Sequence, residues 1–189
     1  MKRAFLLLTW ALLAASGCLG DPATDPSPVL IQANEIGVLT DLQTGELLDP
    51  LLPGLHLIEP GFYDVTIYTL GEMVFLLAGS PEADQRGAVD ALTLDGAAVR
   101  LEVSLLFRVD PTRINQLHAR YGKDYFSAFV DPAIRDLTVE AAARFSADAL
   151  RGDQRAVLET ELKNAAGAAL AEEGLILSDL LVSAVDFPE

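Results

Sequence analysis

Over residues 99–109 every odd position is apolar (Val99, Leu101, Val103, Leu105, Phe107, Val109), while the even ones are Arg100, Glu102, Ser104, Leu106 and Arg108. Successive side chains of a strand point to opposite faces, so this period of two predicts a long strand with one buried face. Just upstream, residues 91–94 form a short apolar run, and Asp95-Gly96 stands between the two segments. Asp-Gly readily takes the positive φ angles of a tight turn, so the pair predicts a hairpin. Downstream, Asp110 is suited to cap a helix and Pro111 to open it, where proline's missing N–H costs nothing. A long hairpin feeding a helix is thus the element around which the chain is organised.

The flanking stretches extend the pattern. Ile36-Gly37-Val38-Leu39 predicts a short strand, Gln43-Thr44-Gly45 a turn, and Pro53-Gly54 and Pro60-Gly61 two more turns. Tyr63, Val65, Ile67 and Thr69 alternate with Asp64, Thr66 and Tyr68, which predicts another strand. Residues 73–78 (MVFLLA) are uninterruptedly apolar and read as a buried strand, with a membrane-dipping loop as the alternative; the polar residues 79–87 read as a loop. After Pro111 the spacing turns helical. Ile114, Leu117 and Tyr121 share a face and Gly122 stops the helix. Asp131-Pro132 announces a second helix carrying Ile134, Leu137, Ala141 and Phe145 inward. Gly152 separates it from a third with Leu158, Leu162, Ala165 and Ala169 on one face, ended by Gly174. Residues 175–187 read as a last strand with poor alternation, closed by Pro188. The expectation is an α+β fold: a strand-rich N-terminal subdomain followed by a strand–helix subdomain.

Composition narrows the function. The 189 residues carry 13 basic and 28 acidic side chains, a net charge of −15. This argues against a nucleic-acid ligand, whose phosphates are bound by Lys and Arg that displace counterions, and against a polybasic membrane surface. The one cysteine, Cys18, excludes an intramolecular disulfide and a Cys-based metal cage.

Cys18 matters through its position. A basic start (Lys2, Arg3) precedes the apolar residues 4–15, and Ser16-Gly17-Cys18 follows at once. A bilayer span needs roughly 20 apolar residues, so this run is short for one; its layout is that of a secretory signal. Small residues just before a cysteine resemble the bacterial lipobox, with Ala15 where that pattern prefers Leu. The resemblance implies cleavage before Cys18 and acylation of its sulfur. An ordinary signal peptide or an uncleaved anchor with a free thiol is the other reading. Loss of Lys2 and Arg3 takes the 13 basic side chains to 11 against 28 acidic, a mature charge of −17. Leu19, where an Asp would hold a proteobacterial lipoprotein in the inner membrane, weakly favours the outer one. Residues 21–28 (DPATDPSP) hold three prolines, and polyproline geometry of about 3.1 Å per residue would let residues 19–34 reach up to ~50 Å. The domain boundaries expected are therefore a signal peptide 1–17, a Pro-rich tether 18–34 with lipidated Cys18, and a body 35–189.

The order of motifs in that body resembles the SPFH or band 7 family of stomatins, prohibitins, flotillins and the bacterial regulators of the membrane protease FtsH. The matching residues are Gly37-Val38, Gly45, Leu52-Pro53-Gly54-Leu55-His56 with Pro60, Leu94-Asp95-Gly96 with Val99, and Phe107-Arg108-Val109-Asp110-Pro111. Tyr125, Ile134-Arg135, Arg155, Gly174 and Asp186-Phe187-Pro188-Glu189 follow. The resemblance implies a membrane-associated scaffold that self-associates and organises or regulates membrane proteins or lipids, with a membrane protein partner, in some relatives a protease. It departs in two respects: the tether is a lipidated N-terminus, and the family's long C-terminal coiled coil is not present after Pro188. Large assemblies are accordingly not expected, while smaller homo-oligomers are.

No catalytic pattern stands out: the sequence has no G-x-S-x-G, no H-E-x-x-H and no Walker loop. His56 and His118 lack partners at metal-ligand spacing and read as packing or surface residues, and Glu159, Glu161, Glu172 and Glu173 as solvated helix faces. No catalytic, metal or cofactor residue is assigned, and the one site residue expected is the lipid-attachment Cys18. The expected function is a non-enzymatic scaffold, lipid-anchored on the extracytoplasmic (periplasmic) face of a bacterial membrane. The alternative is a monomeric lipoprotein binding module for a periplasmic or extracellular partner.

Overall fold

The computed structural model describes residues 25–79 and 87–188. In chain order these form strands β1 (Ser27–Ile31), β2 (Glu35–Asp41), β3 (Gly54–Ile58), β4 (Tyr63–Thr69), β5 (Met73–Leu77), β6 (Val89–Leu92) and β7 (Ala98–Val109). Helices α1 (Ile114–Tyr121), α2 (Asp131–Ala142), α3 (Ala147–Arg151) and α4 (Arg155–Glu172) follow, and strand β8 (Leu175–Asp186) closes the order.

Strand β7 is the spine. All its odd positions from Val99 to Val109 are buried, as period two requires. On one edge it pairs antiparallel with β8 along its whole length, from Arg100 opposite Asp186 to Val109 opposite Leu175. On the other edge β6 and β5 lie end to end, Leu101 facing Val89 and Leu105 facing Phe75. The hairpin between β6 and β7 is closed by Gly96 N–H donating to Thr93 O at 2.9 Å, with Gly96 at φ 78°. Asp95 in that turn accepts from Thr93 Oγ1 at 2.6 Å and from Ala147 N–H at 3.0 Å, joining the hairpin to the start of α3. The buried face packs against Ile114, Leu117, Ile134, Leu158, Leu162, Ala166 and Leu170 of the helices.

The N-terminal strands form two antiparallel ribbons, β1 with β3 and β2 with β4. They meet at Gly37, where a Cβ would lie 3.0 Å from Ile31 Cδ1 and 3.2 Å from both Leu51 Cβ and Val65 Cγ1, so only glycine lets the ribbons approach this closely. Asn115 of α1 donates to Leu48 O at 2.9 Å, and Tyr68 of β4 reaches His118 of α1, so the ribbons rest on the helical body.

The structure corrects several sequence expectations. Strand β1 occupies Ser27–Ile31, inside the 18–34 stretch read as tether, because Val29, Leu30 and Ile31 supply an apolar strand despite the prolines before them. The expected signal peptide and lipidated Cys18, and residues 80–86 of the loop expected over 79–87, lie outside the described residues. Residues 73–77 are not buried throughout: Phe75 and Leu77 face the core while Val74 and Leu76 face out. Asp131 does not cap α2. The helical path already runs through a π-turn at Phe126–Val130, and Asp131 N–H bonds to Phe126 O. Pro132, which has no N–H and whose ring crowds the preceding turn, is accommodated by that wider turn.

The second helix stops at Ala142, and a short α3 capped by Ser146 Oγ, which accepts from Ala149 N–H at 3.3 Å, intervenes before α4. Phe145 is buried just beyond the end of α2. The buried stripe of α4 is Leu158, Leu162, Ala166 and Leu170, with Ala165 exposed. Steps of four advance about 40° around a helix, so this stripe winds along the twisted sheet and admits the larger Leu170 in place of Ala169. Glu159 and Glu173 are not simply solvated. Glu159 Oε2 accepts from Val182 N–H at 2.9 Å, and Glu173 pairs with Arg120.

Candidate functional site: an apolar ribbon near the amino-terminal segment

The β1–β3 ribbon is apolar on both faces. Register places Leu30 opposite Leu55 and Pro28 opposite Leu57, so these four side chains share one face; Val29, Ile31, His56 and Ile58 share the other. The second face turns inward, with Ile31 fully buried beside Gly37. The first points to solvent. Leu30, Leu55 and Leu57 are 63%, 68% and 70% exposed, and Leu52 at the neighbouring turn is equally open. His56 Nε2 hydrogen-bonds to Leu52 O at 2.8 Å and fixes that turn, the packing role its isolation in the sequence suggested.

Burying four such leucines in an apolar phase is worth on the order of 5 kcal/mol. The ribbon begins two residues after the first described position, Asp25, so the chain that leads back to Cys18 leaves the fold beside this face. Cys18 itself lies outside the described residues. The leucines escaped the sequence reading because G-L-H-L-I alternates around one histidine, and alternation alone does not say that both faces are apolar. The signal that could have found them was the second apolar run, V-L-I at 29–31, a partner of matching length.

Other features carry structure rather than chemistry. Tyr68 Oη and His118 Nδ1 lie 2.8 Å apart with rings crossed at 87°, and Tyr125 Oη donates to Met73 Sδ at 3.4 Å. Burial, with a smaller push from Tyr125, raises the Tyr68 phenol to about 12, and burial also raises Tyr125. Burial lowers His118, against a small upward pull from Asp64. Each group is therefore held in its neutral form near pH 7, engaged in packing. Asp110 accepts from Thr112 N–H at 2.9 Å and from its hydroxyl at 2.7 Å, capping the turn of 3₁₀-helix Pro111–Arg113 that leads into α1. An open apolar groove of about 470 Å³ lies between α2 and the β6–β7 hairpin, lined by Asp90, Ala91, Leu92, Ala98, Val139 and Ala143. Among the described residues no group of three His, Cys, Asp or Glu side chains is placed to hold a metal ion, and no helix is long and apolar enough to cross a membrane.

The family model of the SPFH domain / Band 7 family matches residues 29–189, from within β1 to the last residue. The chain belongs to the SPFH/band 7 family. No curated protein matches it. SPFH/band 7 proteins are in general membrane-associated scaffolds without enzymatic activity, and the α+β order of strands, helices and closing strand seen here is that of an SPFH domain. The match begins six residues before position 35, in keeping with the place of β1 in the fold.

Proposed function

We propose that this SPFH-domain protein is a lipid-anchored scaffold on the extracytoplasmic face of a bacterial membrane, where it self-associates and organises or regulates membrane proteins or lipids. Cys18 is the acylated residue, and the exposed face of the β1–β3 ribbon rests against the lipid beside it. One observation carries the reading: the ribbon presents Leu30, Leu52, Leu55 and Leu57 to the outside, next to the point where the chain leads back to Cys18. Two or three acyl chains hold a protein stably, and a few partly inserted leucines then fix its orientation. The acidic composition requires no anionic lipid, since attachment in this reading is apolar.

Intact mass of the mature protein tests the anchor. Acylation at Cys18 is expected, and Cys18→Ala is expected to release the protein or leave it unprocessed. An unmodified thiol on a protein that still fractionates with membranes overturns this part. Leu55→Asp with Leu57→Asp is expected to leave acylation intact while raising protease access to residues 52–58 on vesicles; unchanged access removes the ribbon from the interface. Light scattering on the lipidated, detergent-solubilised protein tests self-association, and a strict monomer at high concentration overturns the scaffold. Co-purification from membranes identifies the partner membrane protein.

A further inference from the structure

The helices cover one face of the β5–β7–β8 sheet, and among the described residues no helix or strand covers the opposite face. At its centre Val74 faces Leu106 and Leu76 faces Ser104 across one edge of β7, while Leu181 faces Ser104 across the other. Val74, Leu76 and Leu181 are 72%, 49% and 51% exposed, and Val74 and Leu181 line a shallow cavity of about 230 Å³ together with Ser104, Leu106 and Asp179, whose carboxylate is paired with Lys163 at 2.5 Å. This patch differs from the leucine ribbon in its charges. Glu102 and Arg108 share this face of β7, each three positions from Leu105. Glu102 receives Gly79 N–H on Oε1 at 3.0 Å, and Arg108 has no hydrogen bond or ion pair among the described residues.

We propose that this outer face is a contact between two copies of the chain, packed sheet to sheet about a two-fold axis that crosses β7 at Leu105. Such an axis sets Glu102 of each copy over Arg108 of the other, twice, and Ser104 over Leu106, with the apolar side chains between. An isologous interface must be complementary to itself, and opposite charges equidistant from an apolar centre meet that condition, which a lipid surface does not ask for. Edge-to-edge pairing along β8 is opposed by α4, whose Glu159 and Arg155 occupy the N–H and C=O of Val182. Three strands ~4.8 Å apart over about seven residues give roughly 340 Å² per copy, below the ~800 Å² of a standard interface, so the contact is weak in free solution. Confinement of tethered copies to one membrane raises their effective concentration and populates it. The inference rests on the self-association in the proposed function and names the surface that performs it.

The test uses the full-length lipidated protein in vesicles, with cross-linking as readout and thermal melting as the folding control. Glu102→Arg and Arg108→Glu are each expected to reduce the cross-linked dimer about tenfold, through repulsion in both symmetric pairs. Mixing the two variants, or combining both changes in one chain, is expected to restore it, because each arrangement again sets opposite charges together. Leu181→Asp is expected to abolish it without rescue. If the wild type gives no dimer, both this inference and the self-association fall. A wild-type dimer that neither charge variant nor Leu181→Asp disturbs overturns the choice of face alone. Loss without recovery on mixing also overturns it, and assigns the face to lipid or to another segment.

Discussion

Gly174 and Arg113 show how much one position can hold. Gly174 lies at φ 82°, and a Cβ there would stand 3.1 Å from Arg113 Cβ and 3.2 Å from its carbonyl oxygen. Arg113 in turn caps the end of α4, donating to Glu172 O at 2.8 Å and to Ala171 O, while Gln116 Nε2 donates to Glu172 O at 3.0 Å. These bonds satisfy carbonyls that the helix leaves without partners and set a positive charge at its negative end. Gly174→Ala therefore meets both backbone strain and a steric clash, and is expected to cost about 2–3 kcal/mol in urea unfolding. Gly96→Ala, with φ 78° but open space around the added methyl, is expected to cost only about 1 kcal/mol. His118 supplies a pH dependence. Its folded value is lowered, by burial first, below the ~6.5 of an unfolded histidine, so the unfolded chain takes up the proton more readily. The stability it contributes is present above about 6.5 and is lost as pH falls through the folded value. Melting temperature is expected to decline over that window and His118→Gln to flatten the decline, a small effect at a partly exposed site.

Strand β8 explains at the level of the element why its alternation is so poor in the sequence. Register shifts between Glu102 and Val103, and between Leu106 and Phe107, leave Ser183 and Ser178 as extra residues. The inward set is therefore Leu175 and Leu177, then Leu180 and Val182, then Val185, each bulge moving the phase by one. A bulged residue pairs with nothing, and its effect on phase is set by the partner strand, so no pattern within 175–187 alone could disclose it. The free edge of β8 depends on Glu159: Glu159→Ala, which strips the acceptor from Val182 N–H, is expected to cost about 1–3 kcal/mol in urea unfolding, and Glu159→Gln to recover most of it. Where pairing is local, the sequence was readable. The β6–β7 hairpin, its Asp95-Gly96 turn, the cap at Asp110 and the stop at Gly122 all follow from neighbouring residues. Where a partner lies far along the chain it was not. Strand β1 is stabilised by β3, which lies beyond β2 in the chain, and Val74 and Leu76 are apolar without being buried, so hydrophobicity named the strand and misjudged its outer face. The role proposed for Cys18 rests on the charged, apolar and small residues ahead of it, and Cys18 lies outside the described residues.

At the scale of the whole molecule, charge works against compactness. A net −15 on 189 residues repels itself, and added salt screens that repulsion within a Debye length of about 10 Å at 0.1 M. Raising sodium chloride from low ionic strength is expected to raise the melting temperature by a few degrees; a fall would show that ion pairs such as Arg120–Glu173 outweigh the general repulsion. The spine β7 has a different consequence, in time rather than in space. Its partners on the β8 edge are about 66 to 86 residues further along the chain, beyond all four helices. Contacts so distant are slow to form, and the sheet lacks one whole edge until residues 175–186 have been synthesised. A chain emerging from the ribosome thus carries a half-paired β7 until β8 has followed it out. For a protein addressed as Cys18 proposes, that delay keeps the polypeptide threadable through a translocation channel until its anchor is already on the far side.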